Sequence, residues 1–420
     1  MRKGVRSPLG VGVYLDYAAS TPVDPRVARA MQPYFTKSFG NPSSLHAFGQ
    51  EASAALDRSR ESIAKAIGAD FRELIFTGSA TEANNCALRG VVSGARRKMT
   101  ELQRPKVIVS AVEHQSVLEA AKELEREGVE VVVLPVSREG VVNVRKLEAA
   151  LNERTVLVSV MYANNEVGTV EPVQKVSALL KKWRVSRAHP NALFPLLHTD
   201  AAQAYQFFDC NVEKLGVDLM TLSAHKLYGP KGIGVLYVRG SGDATSKGAD
   251  SQKIIKPHVV GGGQEFGLRS GTENIPNIVG FAEAVRFVGD VRAKEGKRIG
   301  AIKKCFWQEL KKMYPQAKIN GPDAQRKSAS LPSILNVFLP DRTAQDMLMQ
   351  CDLEGLAIGA GAACGTRAIA PSHVLRAMGY GEERVKASIR ISFGRPTTAQ
   401  EVKKALFIIK KIIKKRAVRA

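Results

Sequence analysis

The chain lacks the cysteine spacing of a metal or disulfide scaffold. Its 420 residues hold five cysteines, Cys86, Cys210, Cys305, Cys351 and Cys364, and no two are close enough for a CxxC pair. A zinc finger or a disulfide framework is therefore not expected, and no metal is assigned. Long apolar runs are also missing, and none approaches the length needed to span a bilayer. The first residues, MRKGVRSPLG, are basic but have no apolar core of the kind a secretion signal carries. A cytoplasmic protein without membrane contact is expected. Acid is in short supply: 40 Asp and Glu stand against 62 Lys and Arg, a net charge of +22. Such an excess is one mark of nucleic-acid binding. The basic residues are spread along the chain without a compact nucleic-acid motif, so a generally basic surface is the simpler reading, and direct nucleic-acid binding stays open. The densest run, Lys403 to Arg419, sets lysine pairs against Leu406, Ile409, Ile412 and Ile413. That spacing predicts a helix with a solvated face.

What is present is an alternation. KVIVSAVEH, VEVVVLPV and TVLVSVMY are each followed by an amphipathic helical stretch, and LFPLLHTD and DLMTLSAH come next. Continuous apolar strands separated by helices predict an α/β fold with a mostly parallel sheet covered on both faces. After about Thr272 a long charged helix begins and strands resume beyond it, which predicts a second, smaller α+β domain. RAHPN and GSGDATSKGADSQK read as surface insertions.

In such sheets ligands gather at the carboxyl ends of the strands. Those ends deliver His114, Asn164 and Asn165, Asp200, and His225 with Lys226. FTGSATEANN is a short apolar segment, a turn of small residues and a helix start, whose amides and Thr81 hydroxyl suit a phosphate. It lacks the lysine of a P-loop. GPKGIG and GGGQEFG are weak dinucleotide signals, since no strand–GxGxxG–helix unit surrounds them. Taken singly, Asp200 reads equally well as a helix cap, His114 as a hydrogen-bonded strand end and Lys226 as a surface lysine. Together, a lysine, a carboxylate, a histidine and a phosphate cradle suggest pyridoxal 5'-phosphate: the amine forms a Schiff base with the aldehyde and the carboxylate keeps the pyridine nitrogen protonated.

YLDYAASTPVDPRV, FGNPSSLH, FTGSATEANN, VEHQSV, NNEVGTVEPV, HTDAAQA, SAHKLYGPKGIG, GGGQEFGLRSGTEN, GAACG and IRISFGR occur in that order, from about Tyr14 to the last helix. The chain resembles the cysteine desulfurases of the class V, fold-type I pyridoxal-phosphate family. The resemblance implies a large domain over 17–291 with a mostly parallel seven-stranded sheet between helices. It implies a small domain of 1–16 and 292–420 that carries the catalytic cysteine. Lys226 matches the Schiff-base lysine, Asp200 the partner of the ring nitrogen and Gln203 that of the ring hydroxylate. His114 would stack on the ring and shuttle a proton, while Ala80, Thr81, Ser223 and His225 would cradle the phosphate. Thr272 resembles the residue that reaches the phosphate of the other subunit, which implies a homodimer. Asn165 would lie beside ring and substrate, and Arg390, assisted by Asn41, would clamp the substrate carboxylate.

Cys364 matches the nucleophile. Six Gly or Ala residues fill the rest of Gly359–Gly365, a composition that suits a travelling loop better than a core. The alternative is a buried cysteine in a tight turn. The thiolate would attack the sulfur of bound L-cysteine and keep it as a persulfide, leaving L-alanine. A protein sulfur acceptor is implied, either an iron–sulfur scaffold or a tRNA-thiolation enzyme. Two departures stand out. The family commonly has serines in SSGSAC where this chain has GAGAAC, so hydroxyl contacts are lost. Many relatives that serve an iron–sulfur scaffold also carry a further C-terminal segment, which leaves the acceptor open. Selenocysteine lyase is the nearest enzymatic alternative, and a basic sulfur-relay or RNA-associated module is the alternative from another class.

Overall fold

The Val-, Ile- and Leu-rich runs become strands buried on both faces. The structure, a computed structural model, describes residues 12–96, 104–186, 193–240, 255–322, 330–361 and 371–417. RAHPN, all of GSGDATSKGADSQK except Gly240, and Cys364 lie outside the described residues.

In chain order the strands are β1 (Val13–Tyr14), β2 (Leu74–Thr77), β3 (Lys106–Ser110), β4 (Glu130–Leu134), β5 (Thr155–Ser159), β6 (Leu196–Asp200), β7 (Leu219–Ser223), β8 (Gly234–Val238), β9 (Lys318–Asn320), β10 (Ile334–Phe338), β11 (Leu356–Ala357) and β12 (Ser388–Ser392). Seven form one sheet in the order β2-β8-β7-β6-β5-β3-β4. All pairs are parallel except those that β8 makes with β7 and β2. The link from Ser223 to Gly234 is too short for the crossover a parallel return needs, so β8 comes back antiparallel. Apolar clusters cover both faces, one around Ile108, Leu197 and Phe281, the other around Val107, Leu157 and Leu236. This is the sheet between helices that the sequence predicts.

The helix Ile275–Met313 runs unbroken for 39 residues. Its second half joins another core, in which Ile299, Phe306 and Leu310 pack with Val13, Leu15, Ile389 and Ile409. The antiparallel sheet β12-β10-β9 and the parallel pair β1-β11 supply much of that core. We propose that the two domains divide inside this helix, near residue 291, and share it as a common spine. The helix Ala399–Ala417 buries Leu406, Ile409 and Ile412 and exposes Lys403, Lys404 and Lys410, as its spacing predicts. Among the described residues no helix is long and apolar enough to cross a membrane.

One buried ion pair fixes the segment that carries Thr272. Arg60 donates from both terminal nitrogens to Glu265, each at 2.7 Å, and Phe76 N donates to the same carboxylate at 2.8 Å. Glu265 and Phe266 are left-handed, with φ of 49° and 57°, a backbone cost that these contacts hold in place. The Arg60 guanidinium also lies over the rings of Phe76 and Phe266. Glu265→Ala strands a buried cation, and the loss of stability should be about 3–5 kcal/mol. Chemical denaturation checks this, and a loss below about 1 kcal/mol, the range of an exposed pair, contradicts it.

Candidate active site

Because β2, β3, β5, β6 and β7 run the same way, their carboxyl ends open on one edge. Lys226 stands there in the single turn Ala224–Lys226 that follows β7. Its Nζ donates to the carbonyls of Ala18 and Ala19 at 2.6 and 2.9 Å. Gln203 Nε2 donates to the same Ala18 carbonyl at 2.9 Å. The YAAS segment therefore brings Lys226 and Gln203 to one point.

Asp200 ends β6 and is buried. Its Oδ1 accepts from Ala202 N and its Oδ2 from Asn84 Nδ2, both at 2.9 Å. Behind it His198 lies between Ser159 Oγ at 2.8 Å and Thr221 Oγ1 at 3.1 Å. Burial pulls the His198 imidazole down to about 4 against the opposing charge of Asp200. His114 caps the helix Gln115–Arg126, with Nδ1 accepting from Ser116 N at 3.2 Å.

His225 adjoins Lys226. Burial first, then the charges of Lys226, Lys231 and His114, lower its imidazole to about 4. Its Nδ1 is buried and has no hydrogen-bond partner. Ser223 is buried at the end of β7, next to this turn. Ala80 and Thr81 open the helix Ala80–Arg96 on the same edge, directly after β2. Amides of a first helical turn have no acceptor within the helix. Gly234 backs this turn so closely that a Cβ on it would sit 2.6 Å from the Ser79 carbonyl carbon. Only glycine permits that approach. A neutral imidazole with an unmet ring nitrogen, a helix start and a buried carboxylate make a fitting seat for a phosphate-bearing pyridine ring. Lys226 lies within the same turn as that imidazole. Thr272 is exposed on the rim of a cleft of about 200 Å³ that Thr77, Gly78 and Gly232 also line.

Arg390 lies in β12 with 1% of its surface exposed. Nη1 donates to the Asn165 carbonyl at 2.9 Å and Nη2 to Asp16 Oδ1 at 2.8 Å, while Nε is buried without a partner. Asp16 and Ala18 are two residues apart, so their Cα atoms are at most about 7 Å from each other. The guanidinium and the Lys226 amine are thus tied to one short stretch of chain. Gly359, where the GAGAAC segment begins, exchanges backbone hydrogen bonds with Arg390 at 2.7 and 2.9 Å. A Cβ there would fall 2.8 Å from Asp16 Oδ1 and 2.9 Å from Arg390 Nη2. Asn41 stands apart on an exposed loop, its Oδ1 accepting from Ser43 N at 2.9 Å.

The structure thus gathers Lys226, His225, Gln203, Asp200, His114, Ser223, Ala80 and Thr81 at one sheet edge, and Arg390 against Asn165. Sequence reasoning gave no role to Asp16, Asn84 or Ser116. Asn84 lies in TEANN one turn after Ala80, on the helix face turned to the sheet. A buried asparagine on an otherwise apolar face was the signal available.

The family profile described as "Aminotransferase class-V" matches residues 13–405. The chain is 40% identical to "Cysteine desulfurase IscS" of Dictyoglomus turgidum, with 96% of this chain and 95% of that protein covered. It is 38% identical to "Putative cysteine desulfurase IscS 1" of Bacillus subtilis, over 96% of this chain and 99% of the other. Among solved structures, a "NifS-like protein" superposes with a TM-score of 0.84 at 35% identity, covering 96% of this chain and 99% of that one. "SspA in complex with cysteine" does so with a TM-score of 0.72 at 32% identity, covering 91% and 98%.

Proposed function

The chain belongs to the class-V aminotransferase family, and from that membership we propose a pyridoxal 5'-phosphate-dependent cysteine desulfurase whose site is the edge that holds Lys226. It takes L-cysteine, releases L-alanine and keeps the sulfur on the chain. The supporting observation is the Asp16–Ala19 stretch, which holds the Arg390 guanidinium through Asp16 Oδ1 and the Lys226 amine through the carbonyls of Ala18 and Ala19. Bound there, the cofactor supplies an electron sink for the substrate Cα.

The chain's own groups do the rest. Asp200 would hold the ring nitrogen and Gln203 the ring hydroxylate. Ala80, Thr81, Ser223 and His225 would hold the phosphate, with Thr272 reaching it from the other subunit. His114 would cover the ring face and Asn165 would lie between ring and substrate. Lys226 would take the Cα proton. Arg390, assisted by Asn41, would receive the substrate carboxylate on the nitrogens that Asp16 and Asn165 now occupy. The Cys364 thiolate would attack the substrate sulfur: an S–S bond forms, the Cβ–S bond breaks, and its electron pair becomes a Cβ–H bond of alanine on protonation. The persulfide would then pass to a protein acceptor in the cytoplasm, for iron–sulfur clusters or thiolated tRNA.

A homodimer fits the exposed apolar side chains Phe35, Phe39, Leu45 and Phe48, of which Leu45 is 92% exposed. Light scattering should give twice the chain mass, and a fully active monomer would refute the dimer.

The direct test of the reaction is release of alanine from L-cysteine by the purified holoenzyme, matched by sulfide once a thiol reductant is added. Arg390→Ala should raise the cysteine concentration at half-maximal rate by about one to two decades, the loss of a charged hydrogen bond of roughly 1.5–3 kcal/mol. An unchanged KM and kcat in that variant would show that the carboxylate binds elsewhere.

A further inference from the structure

Asn84 and Ser116 belong to no part of the reaction assigned above, yet both are buried between two groups that do. Asn84 is fully buried in the helix Ala80–Arg96. Its Nδ2 donates to Asp200 Oδ2 at 2.9 Å and to Ser116 Oγ at 2.8 Å. An ionised carboxylate only accepts, so the amide must turn its nitrogen toward Asp200. It does so although Oδ1 is then buried with no partner, a cost that marks the orientation as enforced. Both hydrogens of that nitrogen are now used. Ser116 Oγ therefore receives one of them, and its own hydrogen is left for His114 Nδ1, which lies 2.8 Å away. The Ser116 amide also donates to Nδ1, at 3.2 Å.

We propose that Asn84 and Ser116 are positioning residues that tie the His114 ring to Asp200 and fix its neutral form with the proton on Nε2. A proton on Nδ1 would face a backbone N–H, which has no alternative orientation. Both donors converge on that nitrogen, so its lone pair is committed and only Nε2 is left to carry the hydrogen. Other titratable groups near the ring come from separate elements. His225 lies in the turn after β7, within electrostatic reach of His114. His373 binds Gln115 Nε2 and the Glu113 carbonyl, each at 3.0 Å. Neither competes for Nδ1. Resting on the desulfurase reading, this arrangement narrows what His114 does in the reaction. Its Nε2–H is the donor, and the ring can give a proton only from that atom. The orientation of the ring would also depend on the charge of Asp200, through two hydrogen-bonded side chains.

The test is nitrogen NMR of the holoenzyme labelled at its histidines, with His114 assigned from the spectrum of His114→Gln. At neutral pH the wild-type protein should show Nδ1 as an unprotonated ring nitrogen and Nε2 as protonated. Ser116→Ala keeps the backbone N–H on Nδ1 and so the Nε2–H form, but it removes the hydroxyl donor. The unprotonated Nδ1 resonance should move downfield, and kcat should fall by about three- to tenfold, the worth of a neutral hydrogen bond, with KM for cysteine nearly unchanged. Ser116→Thr, which keeps the hydroxyl, should restore both. A wild-type His114 protonated on Nδ1 overturns the proposal without any variant. So does a Ser116→Ala enzyme whose Nδ1 resonance and kcat are both unchanged. A wild-type protein with the expected tautomer that releases no alanine from cysteine would overturn the desulfurase reading and leave the relay standing.

Discussion

Lys226→Ala should be isolated without the yellow colour of a lysine-bound pyridoxal and should release no alanine from cysteine. The amine stands at the end of a buried strand, held by the carbonyls of Ala18 and Ala19. No other lysine is placed by the described strands at this edge beside Asp200. On the proposed reading, its loss would remove both the attachment of the cofactor and the base that moves the Cα proton. Positioned proton transfer alone contributes about 10²–10⁴-fold, so turnover should fall by at least that much. Absorbance in the visible range and an alanine assay check the two losses separately. The protein should still fold, because the side chain is only part-buried and the turn is closed by backbone hydrogen bonds from Leu227 and Gly229 to Ala224. Full desulfurase activity in Lys226→Ala would remove the basis of the site assignment.

The strand ends were readable because they depend on local pattern. A run such as LMTLS is continuous, apolar and short, so it is buried on both faces, and the polar residue that follows it must lie at an edge. That pattern alone places Asp200, His114, Asn164–Asn165 and Lys226 at strand ends. It gave no role to the partners that orient them. Arg390 meets Asp16 across 374 residues of sequence, and Asn84 meets Asp200 across 116. Nothing in either local stretch records such a pairing. The parts proposed for Gln203, Arg390 and Thr272 came from family resemblance, not from periodicity. The direction of β8 was open to inference from the length of its connection. The unbroken run of Ile275–Met313 was not, since a helix that serves two cores buries different faces along its length and shows no single stripe. Its buried residues pass from Phe281 and Val285 in the first core to Phe306 and Leu310 in the second.

Cys364→Ser should accept cysteine and change the cofactor spectrum, yet release no alanine and carry no added sulfur. Cys364 lies outside the described residues, so the case rests on the other thiols and on chemistry. Burial pushes the thiol of Cys86 up to about 11 and those of Cys210 and Cys351 up to about 12. At neutral pH these three are overwhelmingly thiols, and the thiolate is the nucleophile. Cys305 is exposed, but it sits in the second half of the helix Ile275–Met313, which packs into the core of Phe306 and Leu310. A rigid helix cannot bring it to Lys226. None of the four can therefore replace Cys364. A serine hydroxyl fits the same place but is a far weaker nucleophile toward sulfur. The groups proposed to bind substrate, Arg390, Asn165 and Asn41, lie elsewhere in the chain, so cysteine should still bind with nearly the wild-type Kd. Wild-type enzyme given cysteine without reductant should gain a single sulfur on the peptide that contains Cys364, seen by mass spectrometry. A persulfide on Cys305 or any buried cysteine, with Cys364→Ser still turning over, would overturn both the nucleophile and the order of events proposed for the site.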